Sequence, residues 1–150
     1  MAEHILQRTQ VVQRPINNVF DFFADAANLE RITPPQLGFR ILTERPISVA
    51  EGTLIDYVLR LRGVPVKWRT EISVWRPPHE FIDRQLKGPY KQWIHRHTFE
   101  DIDGSTTLMK DEIHYRLPFE PFGDLGHFLV KKELNFIFDF RHRAIAEIFG

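Results

Sequence analysis

The chain has 150 residues, no cysteine, and twenty basic residues balanced by twenty acidic ones, for a formal net charge of zero. That length suits one domain whose core needs no cross-links; the missing thiols exclude disulfides and thiolate metal sites, and the balanced charge argues against a nucleic-acid binder. No apolar run reaches the ~20 residues of a membrane helix and the opening Met-Ala-Glu-His-Ile-Leu-Gln-Arg lacks the apolar stretch of a secretory leader, so a cytoplasmic protein without stable membrane insertion is expected.

His4 to Gln13 alternates loosely and contains Ile, Thr and Val, which predicts a first strand. Arg14-Pro15 stops it, because proline removes a ladder donor and presets φ for a helix start. Ile16, Val19, Phe20 and Phe23 then recur at helical spacing to about Ala24. A second short helix is expected from Asp25 or Ala26 to Ile32, ended by Thr33-Pro34-Pro35. From Gly38 the signals become β-type: Phe39 to Thr43, Thr53 to Arg62, Val64 to Trp75, Glu80 to Lys87, Lys91 to Glu100 and Ser105 to Leu117. Turns fall at Gly63, at Gly88-Pro89-Tyr90 and at Asp101-Ile102-Asp103-Gly104, so the strands form an antiparallel meander. Phe122 to Phe149 changes period. There Leu125, Phe128, Leu129, Leu134, Phe136, Ile137, Phe140, Ile145 and Ile148 make a broad apolar stripe on a helix about 40 Å long. The order predicts an α+β fold in one domain spanning 1–150. About seven strands curve around the long C-terminal helix, with two short helices after the first strand.

Thirteen phenylalanines, three tryptophans and three tyrosines suit either a large core or an apolar pocket. On one strand Trp93, His95, His97 and Phe99 share a face, which the aromatics mark as the inner one. The next strand has Met109, Asp111, Ile113 and Tyr115 in one row and Glu112 in the other, and the loop before it decides which row faces in. A two-residue Asp103-Gly104 turn would set Glu112 beside His95; a longer loop, the expected one, brings Asp111 near it. On the other side a Gly88-Pro89-Tyr90 loop sets Asp83 near His95 and Gln85 beside Trp93. The polar ladder Asp83–His95–Asp111 has several possible uses. Its members can satisfy one another and hold strand register. They can orient a small apolar ligand, with Asp83, Gln85, Trp93, His95, His97, Phe99 and Tyr115 and the helix residues Phe136, Ile137 and Phe140 as the lining. His95 or His97, held by Asp83 or Asp111, can move a proton. The His-x-His spacing also suits a metal, but no compact motif supplies further ligands, so neither a metal nor a cofactor is expected. Lys67, Arg69, Arg60 and Arg62 read as a solvated outer face. Arg141-His142-Arg143 reads as the exposed side of the helix, with Arg141 within reach of the cavity rim.

Pro15, Val19, Phe20, Phe22, Ala24, Asp25, Asn28 and Leu29, the run from Phe81 to Phe99, and Asp111 to Pro118 together resemble motifs of the START/Bet v 1-like helix-grip superfamily. The resemblance is to its bacterial polyketide cyclase/dehydrase-like and coenzyme Q-binding-like members, and it extends over nearly the whole chain. It implies a helix-grip fold whose cavity holds a small hydrophobic or aromatic molecule such as a lipid, quinone or polyketide-like compound. Two other implications stand beside binding: a cyclase or dehydratase using the same cavity, and a module partnering an epimerase-like protein. No shared catalytic set carries over from the resemblance.

Overall fold

The structure, a computed structural model, describes residues 3–118 and 123–150. β1 (His4–Val12) runs through Arg14 to Pro15, whose φ of −57° leads into α1 (Ile16–Ala24). A 3-10 helix over Ala26–Ile32 and a 3-10 turn over Pro35–Leu37 follow. Then come β2 (Arg40–Ile41), β3 (Leu54–Leu61), β4 (Val64–Arg76), β5 (Glu80–Lys87), β6 (Gln92–Asp101), β7 (Thr107–Arg116) and the long α2 (Gly123–Phe149). The strands form one seven-stranded sheet in the order β1-β7-β6-β5-β4-β3-β2, and every neighbouring pair is antiparallel. This is the expected helix-grip architecture. The expected strand from Phe39 to Thr43 shrinks to two residues. Beyond Ile41 the Thr43 hydroxyl accepts from Asp56 N at 2.7 Å, replacing the ladder bond that would have extended the pairing.

Two turns place the inner face of the sheet. Arg62 and Gly63 join β3 to β4 with φ of 51° and 80°, the paired positive angles of a two-residue turn whose twist matches its strands. Between β6 and β7 the loop runs from 102 to 106, longer than a two-residue turn. Asp101 Oδ1 accepts from Gly104 N at 2.7 Å, and Asp103 Oδ1 accepts from Ser105 N at 3.0 Å. This loop pairs His97 with Asp111 and Trp93 with Tyr115, so Met109, Asp111, Ile113 and Tyr115 all point inward and are buried.

α2 packs along that inner face, but its phase differs from the expected stripe. The buried positions are Val130, Leu134, Phe138, Arg141, Ala144 and Ile145, spaced by three, four and seven. Phe128 and Leu129, at 62% and 46% exposure, and Phe136 at 45%, lie on the opposite side. Counting only apolar residues averaged the two faces of this helix; following the i, i+4, i+7 positions separates them. The Leu125 side chain and the expected helix start at Phe122 lie outside what the structure describes.

Gly63→Val places a branched side chain where φ is 80° and opposes the turn. Urea denaturation should show a loss of about 1–2 kcal/mol with an unchanged m-value. An unchanged midpoint would mean that the turn does not need its left-handed residue.

Candidate functional site

Between α2, the 3-10 helix and strands β3 to β6 lies a cavity of about 180 Å³. For scale, a dry apolar cavity of ~150 Å³ holds a benzene ring. One part of the wall is aliphatic, with Ile32, Leu37, Ile55 and Ile72; another is aromatic, with Tyr57, Trp68, Tyr90, Trp93 and Phe138. The rings are in mutual contact: Tyr57 stacks on Trp68 with centroids 5.7 Å apart, and Trp93 meets Trp68 edge-on at 5.4 Å. Burial pushes the Tyr57 phenol well above its ordinary pKa, helped by the charge of Asp83; burial and the Glu133 charge raise Tyr90 as well. Both phenols therefore stay protonated at the wall.

The polar end of the cavity is built by four elements. Asp83 on β5 is directly opposite His95 on β6, and His97 is opposite Asp111 on β7. His95 Nε2 and Asp111 Oδ1 are 2.7 Å apart, and His97 Nε2 and Asp83 Oδ2 are 2.6 Å apart. The remaining ring nitrogens face the other carboxylate at longer range: His95 Nδ1 is 3.8 Å from Asp83 and His97 Nδ1 is 3.4 Å from Asp111. The imidazoles stack on each other at 3.6 Å, and Phe81 covers the far side of His97 at 4.0 Å. From α2, Arg141 donates to Asp111 Oδ1 at 3.1 Å and lies over the rings of Phe23 and Phe138.

Two carboxylates and one guanidinium meet at this end of the cavity. Burial, then the neighbouring His95, push His97 down to about 4, against the pull of Asp83 and Asp111; His97 is the neutral ring, with Nε2–H donating to Asp83. Burial alone would raise both carboxyls, but other groups win. Arg141 and the His95 hydrogen bond hold Asp111 well below the usual carboxylate range. The His97 hydrogen bond and the nearby His95 lower Asp83.

Of the lining expected from sequence, the cavity wall includes Trp93, His95, His97, Asp83 and Ile137. Asp111 lies behind His95 and holds it. Five others lie elsewhere. Gln85 folds back over the β5–β6 turn, donating to Tyr90 O at 2.6 Å and accepting from Tyr90 N at 3.1 Å; any side chain at Gly88 would collide with it. Phe99 is buried with Phe20 and Phe23 in a separate cluster beyond the histidines, and Phe140 packs against the same cluster. Tyr115 sits behind Trp93, its hydroxyl 3.2 Å from His127 Nε2. Phe136 is on the outer side of α2. Sequence reasoning put Arg141 on the exposed side of the helix, within reach of the cavity rim, and left it out of the lining; the residue is only 8% exposed and is part of the cavity wall. Its spacing of seven from Leu134 and three from Phe138 was the available signal.

Among the described residues, Asp83, His95 and His97 have ligand atoms within 4.8 Å of one another. A ring nitrogen binds a metal through a lone pair in the ring plane. Rings stacked at 3.6 Å and 24° direct those pairs along nearly parallel planes, and Nε2 of each is already committed to a carboxylate. The arrangement fits proton and hydrogen-bond chemistry better than a metal.

The pH dependence follows in sign. His97 has a folded pKa of about 4 against 6.5 when unperturbed, so the unfolded chain binds a proton first as pH falls. Stability from this residue is complete above about 6.5 and declines toward about 4. The lowered Asp83 and Asp111 remain stabilising through that interval and lose their contribution only below the ordinary carboxylate value of 3.8. Equilibrium unfolding between pH 7 and pH 4 should show the first decline, on the order of a few kcal/mol, and His97→Gln should flatten it. A wild-type stability that rises on acidification across that interval contradicts a neutral His97.

A family model described as polyketide cyclase/dehydrase and lipid transport matches residues 12–137. Among solved structures, the Zhui aromatase/cyclase from Streptomyces sp. R1128 superposes with a TM-score of 0.77 at 16% identity, covering 97% of this chain and 93% of that one. A START superfamily protein from Mycobacterium smegmatis gives 0.69 at 12% identity, covering 97% and 99%. The major latex-like protein 151 of Panax ginseng gives 0.68 at 14%, covering 98% and 97%. At these identities the likeness is one of fold. No curated protein sequence matches significantly. Since the family match spans most of its residues, this chain belongs to the polyketide cyclase/dehydrase and lipid-transport family.

Proposed function

We propose that residues 1–150 form one ligand-binding domain whose cavity holds a small, flat, largely apolar molecule with one or two polar atoms directed at the Asp83–His95–His97–Arg141 end. The observation that carries this reading is a cavity whose walls are aliphatic and aromatic while its ionisable groups converge at one end. Two carboxylates against one guanidinium at that end disfavour an anionic ligand. At about 180 Å³, the space suits one or two fused rings rather than a whole phospholipid.

Binding is tested by native mass spectrometry of freshly purified protein and by titration with 2-naphthol as a probe. Ile55→Phe, which fills the aliphatic wall, should weaken 2-naphthol binding at least tenfold while leaving the melting temperature unchanged or higher. His95→Ala should lose ~2–4 kcal/mol of stability, because it removes the 2.7 Å hydrogen bond to buried Asp111 and leaves that carboxylate with Arg141 alone. Equal affinity in wild type and Ile55→Phe would place the probe outside the cavity and count against the reading.

One observation favours a second reading, proton transfer. Asp111, anchored by Arg141, holds His95 by Nε2, and His95 also forms part of the cavity wall. Such a carboxylate-held imidazole can move a proton to or from a bound carbonyl or hydroxyl compound. A β-hydroxy ketone such as 4-hydroxy-4-phenylbutan-2-one loses a Cα proton and its hydroxyl, as water, to give the enone. Under this reading the protein accelerates that step and His95→Gln lowers the rate about 100-fold, while binding without turnover leaves only the first reading.

A further inference from the structure

We infer that one end of the molecule, formed by the β3–β4 turn, the β5–β6 turn and the first half of α2, is a docking surface for an anionic lipid bilayer. The three segments are joined by contacts beneath the surface. Leu61, Tyr90, Val130 and Leu134 belong to one buried cluster, and Arg62 Nη1 stands 4.0 Å from Glu133 Oε1. Leu61, Tyr90 and Leu134 are also part of the cavity wall, so this surface lies directly over the cavity.

The surface combines two properties. It exposes large apolar side chains: Val64 at 60%, Phe128 at 62% and Leu129 at 46%. The same segments carry exposed cations: Arg62 in the β3–β4 turn with Arg60 and Lys67 on the outer face of the strands beside it, Lys91 in the β5–β6 turn, and Lys131 and Lys132 on α2. Of these, Arg62 reaches Glu133; the other five form no ion pair with another described residue. Some outward arginines elsewhere on the sheet are paired across strands, as in Arg69–Asp56 at 2.8 Å and Arg84–Glu71 at 2.8 Å, whereas Arg40 on β2 has no ion pair among the described residues. Cations without an ion pair among the described residues, set in the same segments as an exposed phenylalanine and leucine, favour a negatively charged partner. Apolar groups that insert at the headgroup boundary, ringed by lysines and arginines, suit a negatively charged membrane surface. A second copy of the chain would bring like charges together at the same place.

The test is co-sedimentation with vesicles of phosphatidylcholine containing phosphatidylserine, against vesicles of phosphatidylcholine alone, at low and high salt. The wild-type chain should bind the anionic vesicles at low salt, be released by high salt, and ignore the neutral ones. Lys131→Ala with Lys132→Ala should weaken partitioning about 30-fold, roughly fivefold for each lysine. Phe128→Ser with Leu129→Ser should weaken it about tenfold or more. All four side chains are exposed, so circular dichroism and melting temperature should match the wild type and any loss of binding is a loss at the surface. No binding to anionic vesicles overturns the proposal, as does binding that either double variant leaves unchanged. Light scattering that shows a dimer dissolved by the Phe128/Leu129 variant also overturns it, with a second copy as the occupant.

Discussion

Asp111 is the joint on which the arrangement depends. It is a buried carboxylate, 6% exposed, on the middle of β7, and it accepts from His95 on β6 and from Arg141 on α2. An ionised carboxylate in the interior is strongly destabilising unless it is paired and hydrogen-bonded. That condition constrains everything around it. A one-residue slip between β6 and β7 would turn Asp111 to the outer face. A shift of α2 by one turn, about 5.4 Å, would carry Arg141 out of reach. The carboxylate therefore specifies a strand register and a helix position together.

The same cluster divides the interior. On one side is the cluster containing Trp68, Tyr90, Trp93 and Ile113; on the other is the one containing Phe20, Phe81, Phe99 and Met109. Between them Phe81, His97 and His95 form a continuous stack, and Phe138 meets His95 edge-on at 5.7 Å. Flat rings held by hydrogen bonds at their edges cannot collapse into the neighbouring space without breaking those bonds. This gives a physical reason for a cavity beside the histidines and close packing beyond them. Phe99 illustrates the division: it shares the strand face of His97, but lies in the packed half.

The outer surface follows different rules. Cross-strand pairs such as Arg69–Asp56 and Arg84–Glu71 are substantially exposed, and such pairs contribute about 0–1 kcal/mol each. They neutralise charge more than they stabilise. The inner cluster uses the same residue types under burial, where leaving one member unpaired is far more costly. Position relative to solvent, rather than the identity of the pair, sets its importance here.

Periodicity and turn chemistry made the elements legible. Alternation from Glu80 to Lys87 matches β5 to the residue, and Pro15 marked the start of α1, because these signals are local and backbone-determined. The inward row of Trp93, His95 and His97 was likewise readable, since period two leaves no choice once one aromatic is known to be inside. Asp83 and Asp111 depended on loop length, which the residues favoured but left open. What only the tertiary structure decided was helix phase and the course of side chains across elements. α2 carries apolar residues on both faces, so hydrophobicity alone did not orient it, and Phe136 turned outward while Arg141 turned in. Gln85 was recruited by the adjacent turn because its amide matches both backbone groups of Tyr90. Local sequence thus determined where strands and helices lie and which strand faces are buried. Which polar groups meet was decided by packing, because a buried charge accepts only the one helix position that brings it a partner.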